Sequence, residues 1–363
     1  MSDPTIVFDL TDANGNPLTE GGLRDHENAT VTWQDSTAAD LVTMQIPLDH
    51  DAAAEILNTE TSGAPDRNVY VKAYRSPTGD AADRRLVFHG PVWVDQVLGR
   101  QRQLAIVACA PDIVLTKRPT ITQYAPTDCG LLLKSMIDTT NSTDGETGIA
   151  TDTTWITASS TIDVDARQNR PTIQSLRAQF AQQLDGCESW IVPIEYAAGK
   201  IGRFYAAPSR GSTTTVVFAY GEGTQANVVN MTRARDTGKI VNEARGITDG
   251  GLASTKTDTA SVSAIGRLIE YVSLTGETSQ SVLDARTQGL VDRLGSRDAV
   301  AEYAIDVDSG SPRLWDDFDI GDSVTLLFRD AGVEWEVVKR VRSATVSVDQ
   351  TGTEIPTRVE VGA

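Results

Sequence analysis

Histidine and cysteine are scarce: three of each in 363 residues. Acid–base and nucleophilic catalysis lean on histidine. His26, His50 and His89 stand apart, with no His-Glu-x-x-His spacing. They read as isolated surface or strand residues. Cys109, Cys129 and Cys187 cannot all pair, and their wide spacing matches no zinc motif. Three reduced, mostly buried thiols are expected. Also missing are a Walker loop, a Gly-x-Ser-x-Gly element and any run near the ~20 apolar residues that span a bilayer. Met1-Ser2-Asp3-Pro4 has no basic, apolar leader. Gly221-Glu222-Gly223-Thr224 lacks a lysine and reads as a turn. No catalytic residue, cofactor site or metal site is assigned, and the expectation is a non-enzyme.

Basic charge is also in short supply. Fifty acidic residues face 32 basic ones, a formal net charge of −18. Such a surface repels nucleic acid, which argues against specific DNA binding. The pairs Asp163/Asp165 and Asp306/Asp308 and the trio Asp316, Asp317 and Asp319 could serve glycoside hydrolysis or calcium. With 50 acids such clusters arise by chance. The stretch Asp138 to Asp144 carries oxygens but no EF-hand pattern.

What is present is β-patterning at both ends. Val42, Met44 and Ile46 share one face, and Val69–Tyr74, Leu86–Val94 and Gln103–Cys109 read as strands. Asp49 or Asp51 is placed to cap a short helix, Asp51–Asn58. In the middle, Leu131–Ile137 reads as a buried helix capped by Asp128, and Asp138–Thr154 as a loop. Ile173, Leu176, Phe180 and Leu184 form a helical stripe after Pro171, ending by Gly186. Thr248–Ala260 reads as a mobile loop and Ser281–Leu294 as a helix. Later, Val324, Leu326 and Phe328, then Trp335, Val337, Lys339 and Val341, alternate as strands, and Pro356–Val361 closes the chain.

The fold class is therefore mainly β with an α+β insert: two barrel-like β domains plus smaller α+β domains. We expect an N-terminal barrel over 1–115, completed by strands from about 216–248. An inserted α+β domain then spans 116–215, a helix-bearing segment 249–299 and a C-terminal β domain 300–363. The two β-rich ends look like one fold used twice.

Three stretches carry a resemblance. Asn68–Tyr74 precedes a strand with Phe88-x-Gly90-x-Val92; Ala110–Arg118 reads as a short helix closed by Arg118; Gly321-Asp322-x-Val324 opens the later β unit. In this order they resemble the tail-hub (baseplate-hub) proteins of long-tailed phages, in the style of a minor tail protein of an actinobacterial siphophage. The resemblance implies multi-domain tail-hub architecture, with Phe88, Gly90, Val92, Arg118, Gly321, Asp322 and Val324 as structural positions. It implies a homotrimeric ring at the tail tip, joining the hexameric tube to three-fold tip components and lining the DNA channel. Its partners would be the distal tail protein, the tape-measure protein and other tail-tip or fibre proteins. DNA would pass without specific binding, and the chain would be made in the host bacterial cytoplasm. No collagen-like, peptidase or lysozyme-like segment follows, so wall digestion is not expected. The alternatives are a tail-associated glycan or cell-wall hydrolase, or a carbohydrate-binding receptor module.

Overall fold

The computed structural model describes residues 4–12, 14–18, 23, 26–35, 38–61, 69–120, 123–143, 147–165, 170–181, 186–223, 226–274, 279–307 and 312–362. Strands β1 (Thr5–Thr11), β2 (Glu27–Gln34), β3 (Leu41–Pro47), β4 (Tyr70–Ser76), β5 (Arg85–Leu98) and β6 (Gln103–Cys109) make a first curled unit, with α1 (Asp51–Thr61) between β3 and β4. Period-2 patterning drives it. Ile6, Phe8 and Leu10, then Val42, Met44 and Ile46, then Leu104, Ile106 and Ala108 face one core at 2 % exposure or less. The start of α1 is capped by His50, not by Asp49 or Asp51: its Nδ1 accepts from the Ala52 amide at 3.0 Å.

The insert follows: β7 (Gln123–Asp128), α2 (Cys129–Thr143), β8 (Ile149–Ala150), β9 (Thr161–Asp165), α3 (Ile173–Ala181), β10 (Glu188–Ala197) and β11 (Lys200–Ala207). Asp128 does cap α2, accepting from the Gly130 and Leu131 amides at 2.9 and 3.0 Å. The expected loop from Asp138 is overturned, since α2 runs on to Thr143. The threonines that suggested a loop bond back to the helix: Thr139 to the Ser135 carbonyl (2.8 Å) and Thr140 to Met136 (2.9 Å). Ile173, Leu176 and Phe180 are buried as the stripe required, while Leu184 lies outside the described residues. So do Asn68, Asp144, Asp308 and Thr224.

The last part of the chain adds β12 (Thr213–Gly221), β13 (Val228–Arg235), β14 (Glu243–Thr248), β15 (Ala253–Thr257), α4 (Thr259–Ile265), β16 (Ile269–Leu274), α5 (Gln280–Leu294), β17 (Ala301–Val307), β18 (Ser323–Asp330), β19 (Val333–Val348) and β20 (Glu354–Gly362). The expected loop over 248–260 is instead strand β15, paired antiparallel with β14, and the first residues of α4. Asp258 starts α4 by accepting from the Ser261 amide at 2.9 Å. The expected helix at 281–294 is α5, packed on one face of the small β15-β14-β16 sheet.

Twelve strands form one curled sheet. Its first half has the spatial order β1-β4-β5-β6-β3-β2, its second half β12-β18-β19-β20-β17-β13. Counted along the chain within each half, both read 1-4-5-6-3-2. Every neighbouring pair is antiparallel in both halves, except that β12 runs parallel to β18 where β1 runs antiparallel to β4. The halves join where β2 pairs antiparallel with the end of β19. Strands β12 and β13 therefore hydrogen-bond to C-terminal partners and do not complete the first unit. Among the described residues, no helix is long and apolar enough to cross a membrane.

Candidate assembly surfaces

The fifth strand of each unit is its longest and switches partner halfway. Strand β5 pairs β4 through residues 85–91 and β6 from Val92 onward. Strand β19 pairs β18 through 333–340 and β20 from Arg340 onward. Each switch carries a register shift, between Val92 and Val94 in β5 and between Val341 and Ser343 in β19. Such bulges bend a sheet into a barrel corner.

The motif positions build these corners. Phe88 is buried in the main core. Gly90 lies so close to β6 that an added Cβ would sit 1.9 Å from the Cys109 carbonyl oxygen, a gap only glycine fits. The Val92 amide donates to the Val69 carbonyl at 2.7 Å. Gly321 has φ +96° and donates to the Val341 carbonyl at 2.9 Å. Asp322 is buried; its Oδ1 accepts from the Ser212 amide (2.6 Å) and its Oδ2 from the Asp319 amide (2.8 Å). Val324 is fully buried. Arg118 is half-buried and ends the 3-10 turn Pro111–Lys117; its carbonyl accepts from the Ile173 amide at 3.0 Å. Val92 and Arg118 share the lining of a cavity of about 280 Å³ between the first unit and the insert, and the seven residues do not all converge on one pocket.

Ion pairs that the sequence reading missed fasten the parts together. Between the two units, the buried Arg75 reaches Glu354 at 2.5 Å and Asp316 at 3.1 Å, with its guanidinium 5.6 Å from the Trp315 ring centre. Trp315 holds φ +64° and meets Trp33 edge-on at 4.2 Å. Between insert and second unit, Arg340 forks onto both Glu188 carboxylate oxygens and donates to the Gly321 and Arg210 carbonyls at 3.0 and 2.9 Å. Between insert and first unit, Glu195 accepts from Lys72 (2.7 Å) and Tyr74 (2.6 Å), and His89 Nδ1 meets the Ile194 carbonyl at 2.8 Å. Burial holds His89 down to about 4. His89 lies in strand β5, in keeping with the surface-or-strand expectation, and is buried; His26, buried and outside any strand, departs from it. Between the insert and the 3-10 turn that precedes it, buried Arg177 pairs with Asp112 at 2.9 Å; within the insert it donates to Ser189 Oγ at 2.9 Å. All three cysteines are free and buried. Cys129 Sγ meets Ser159 Oγ at 3.0 Å, and the neighbouring Cys129 and Cys187 thiols perturb each other, Cys129 lowered and Cys187 raised.

Two surfaces test the alternative chemistries. A cavity of about 700 Å³ lies between α5 and the outer face of the second unit. Both lining carboxylates are engaged there, Glu302 with Lys239 (2.9 Å) and Glu360 with Arg358 (3.7 Å). On the insert, Trp155, Tyr205 and Trp190 stack in a row, with Arg203 over Trp155 and Arg210 over Trp190. All three rings are half-buried, each keeping part of its surface in solvent. Among the described residues no group of three or more histidine, cysteine or acidic side chains is arranged around a common metal position.

No protein-family model matches the sequence, and no curated protein does. Solved structures do resemble it. A tail protein from Neisseria meningitidis MC58 superposes with TM-score 0.63 at 11% identity, over 99% of this chain and 97% of that one. The 43 kDa tail protein of prophage MuSo2 from Shewanella oneidensis gives 0.59 at 12%, over 99% and 98%. Prophage tail protein gp18 from Listeria monocytogenes EGD-e gives 0.54 at 12%, over 99% and 94%. At such identities the likeness establishes the fold: a mainly β, multi-domain fold that this chain shares with phage tail proteins along nearly its whole length.

Proposed function

We propose that this chain is a structural, non-enzymatic ring subunit of a phage tail tip. Three copies form a hub that joins the six-fold tube to three-fold tip components. The observation that carries the reading is the strand order 1-4-5-6-3-2 used twice in one chain. Two like units per chain present six similar positions when three chains close, which matches a trimer to a hexamer. The solved neighbours being tail proteins supports a place in the virion tail. In this reading the partners are the distal tail protein, the tape-measure protein and tip or fibre proteins. An acidic lumen, fed by the net charge of −18, lets DNA slide by repulsion and without specific contacts.

Native mass measurement of the assembled chain, with label imaging on intact tails, tests this. Three copies at the tip are expected. Another copy number, or a label along the tube or on the capsid, would sink the reading. A basic lumen in the imaged ring would remove the DNA-sliding part alone.

A further inference from the structure

The internal junction has an unused counterpart. Within one chain, strand 2 of the first unit (β2) lies on the outer edge of strand 5 of the second (β19): Ala344 faces Trp33, Thr345 faces Thr32 and Val346 faces Val31. The reverse combination is strand 2 of the second unit (β13) with strand 5 of the first (β5). Both of those edges are open. Among the described residues β13 pairs only β17, and no strand lines the outer edge of β5 beyond Val92.

Exposure shows what is missing. Aligning the register shifts of the two fifth strands sets Asp95 at the place of Ala344 and Val97 at that of Val346. Ala344 and Val346 are 0% and 2% exposed beneath β2, whereas Val97 is 50% exposed and Asp95 is exposed. Trp93 and Val94 are exposed beside them. The second strands align likewise through shifts after Glu27 and after Val228, which sets Met231 at the place of Val31 and Arg233 at that of Trp33. Val229 is exposed on this edge too. A bare apolar edge invites strand pairing.

We propose that β13 of one copy pairs antiparallel with residues 94–98 of β5 in a second copy of this chain, in the register of β2 on β19. Val94 then faces Ala234, Gln96 faces Thr232 and Val97 covers Met231. Asp95 falls opposite Arg233, which already meets Asp298 at 3.3 Å and lies over the Tyr303 and Trp335 rings, so the one carboxylate of the β5 edge joins a half-exposed cation of the β13 edge. This is charge complementarity within a chain of net charge −18. The contact is heterologous: each copy gives one edge and receives on the other, so copies continue around a closed path. The pairing rests on the ring reading above for its place in the tail, and names the contact that builds the ring.

The test is a register-specific crosslink in the full chain and in tails carrying it. Directly opposed residues bring Cβ atoms within about 4.5–5.5 Å, near disulfide range. Gln96→Cys with Thr232→Cys should yield covalent oligomers on mild oxidation. Gln96→Cys with Arg233→Cys, one residue out of register, should not. Asp95→Arg should weaken self-association about ten-fold, and adding Arg233→Asp should restore it. Three-copy rings without the in-register crosslink would overturn the pairing and leave the hub reading standing. A crosslink in closed rings of another copy number would support the pairing and overturn the hub reading. No crosslink in either sample would overturn the pairing outright.

Discussion

The two β units share a strand order and differ in how they turn their corners. The first turns at Gly90, where absence of a side chain lets β5 press against the Cys109 carbonyl. The second turns around Lys339, Arg340 and Arg342, long cations that find partners on neighbouring elements. Lys339 donates to the Asp298 carbonyl (2.5 Å), Arg340 forks onto Glu188, and Arg342 pairs with Asp35 at 3.0 Å. Gly321 shares the second corner, but at the position aligned with Gly90 the topology is closed by subtraction in one unit and by polar fastening in the other. Topology is set by which strands pair, and corner chemistry is free to vary with what each unit is attached to.

The sharpest way to break this contrast is at the fastened corner. Arg340→Ala would leave the buried Glu188 carboxylate with the Arg210 amide (2.7 Å) but no cationic partner, and should cost about 3 kcal/mol. A urea midpoint unchanged from the parent would show that Arg340 fastens nothing. At the subtractive corner, Gly90→Ala should cost about 2–3 kcal/mol through overpacking. The aligned Lys339→Ala should cost less, and equal losses in thermal melts would erase the distinction.

Asp40 sharpens the comparison by pH, because it sits beside the junction. Burial pushes its carboxyl up to about 7, although the residue as a whole is only half-buried; Arg210 opposes, and Asp112 and Asp319 add. The folded chain therefore holds a proton that the unfolded chain releases near 3.8. The resulting penalty is absent below about 4, grows as pH rises and is complete above about 7. Asp40→Asn should remove it, gaining about 1–2 kcal/mol at pH 8 and little at pH 4, with partial exposure trimming the full value. A difference between variant and parent that stays flat from pH 4 to 8 would refute this. The smallest effect is expected at the other junction. Glu195 is mostly exposed, so Lys72→Ala should cost about 0–1 kcal/mol. A loss rivalling that of Arg340→Ala would make the two attachments alike.

Much of the fold was legible because alternation is local: Val42, Met44 and Ile46, or Val324 and Leu326, announce a buried face within a few residues. The helix stop misplaced at Asp138 shows the limit, since Thr139 and Thr140 look like loop residues until their hydroxyls are seen folding back onto the helix. Strand partnership was less legible. Nothing in Val228–Arg235 announces β17 as its partner, because pairing depends on contacts distant in sequence. The arginine forks were missed for the same reason: Arg75 and Glu354 stand at opposite ends of the chain. One signal was readable, the run from Val92 to Leu98 that carries β-patterning past Gly90-Pro91 and leaves Trp93, Val94 and Val97 in solvent.

Strand β10 ties the two β units together from outside them. At Glu188 it is gripped by the second unit and at Glu195 by the first. It therefore works like a carpenter's gauge between the two β units, a single strand whose length and local bend past Pro193 span from one to the other. In the proposed hub, the curvature that decides where the circle closes would be templated inside each chain, away from the edges where copies touch. Changes at those edges would alter how tightly the circle is held, and changes to the strand would alter how many chains complete it.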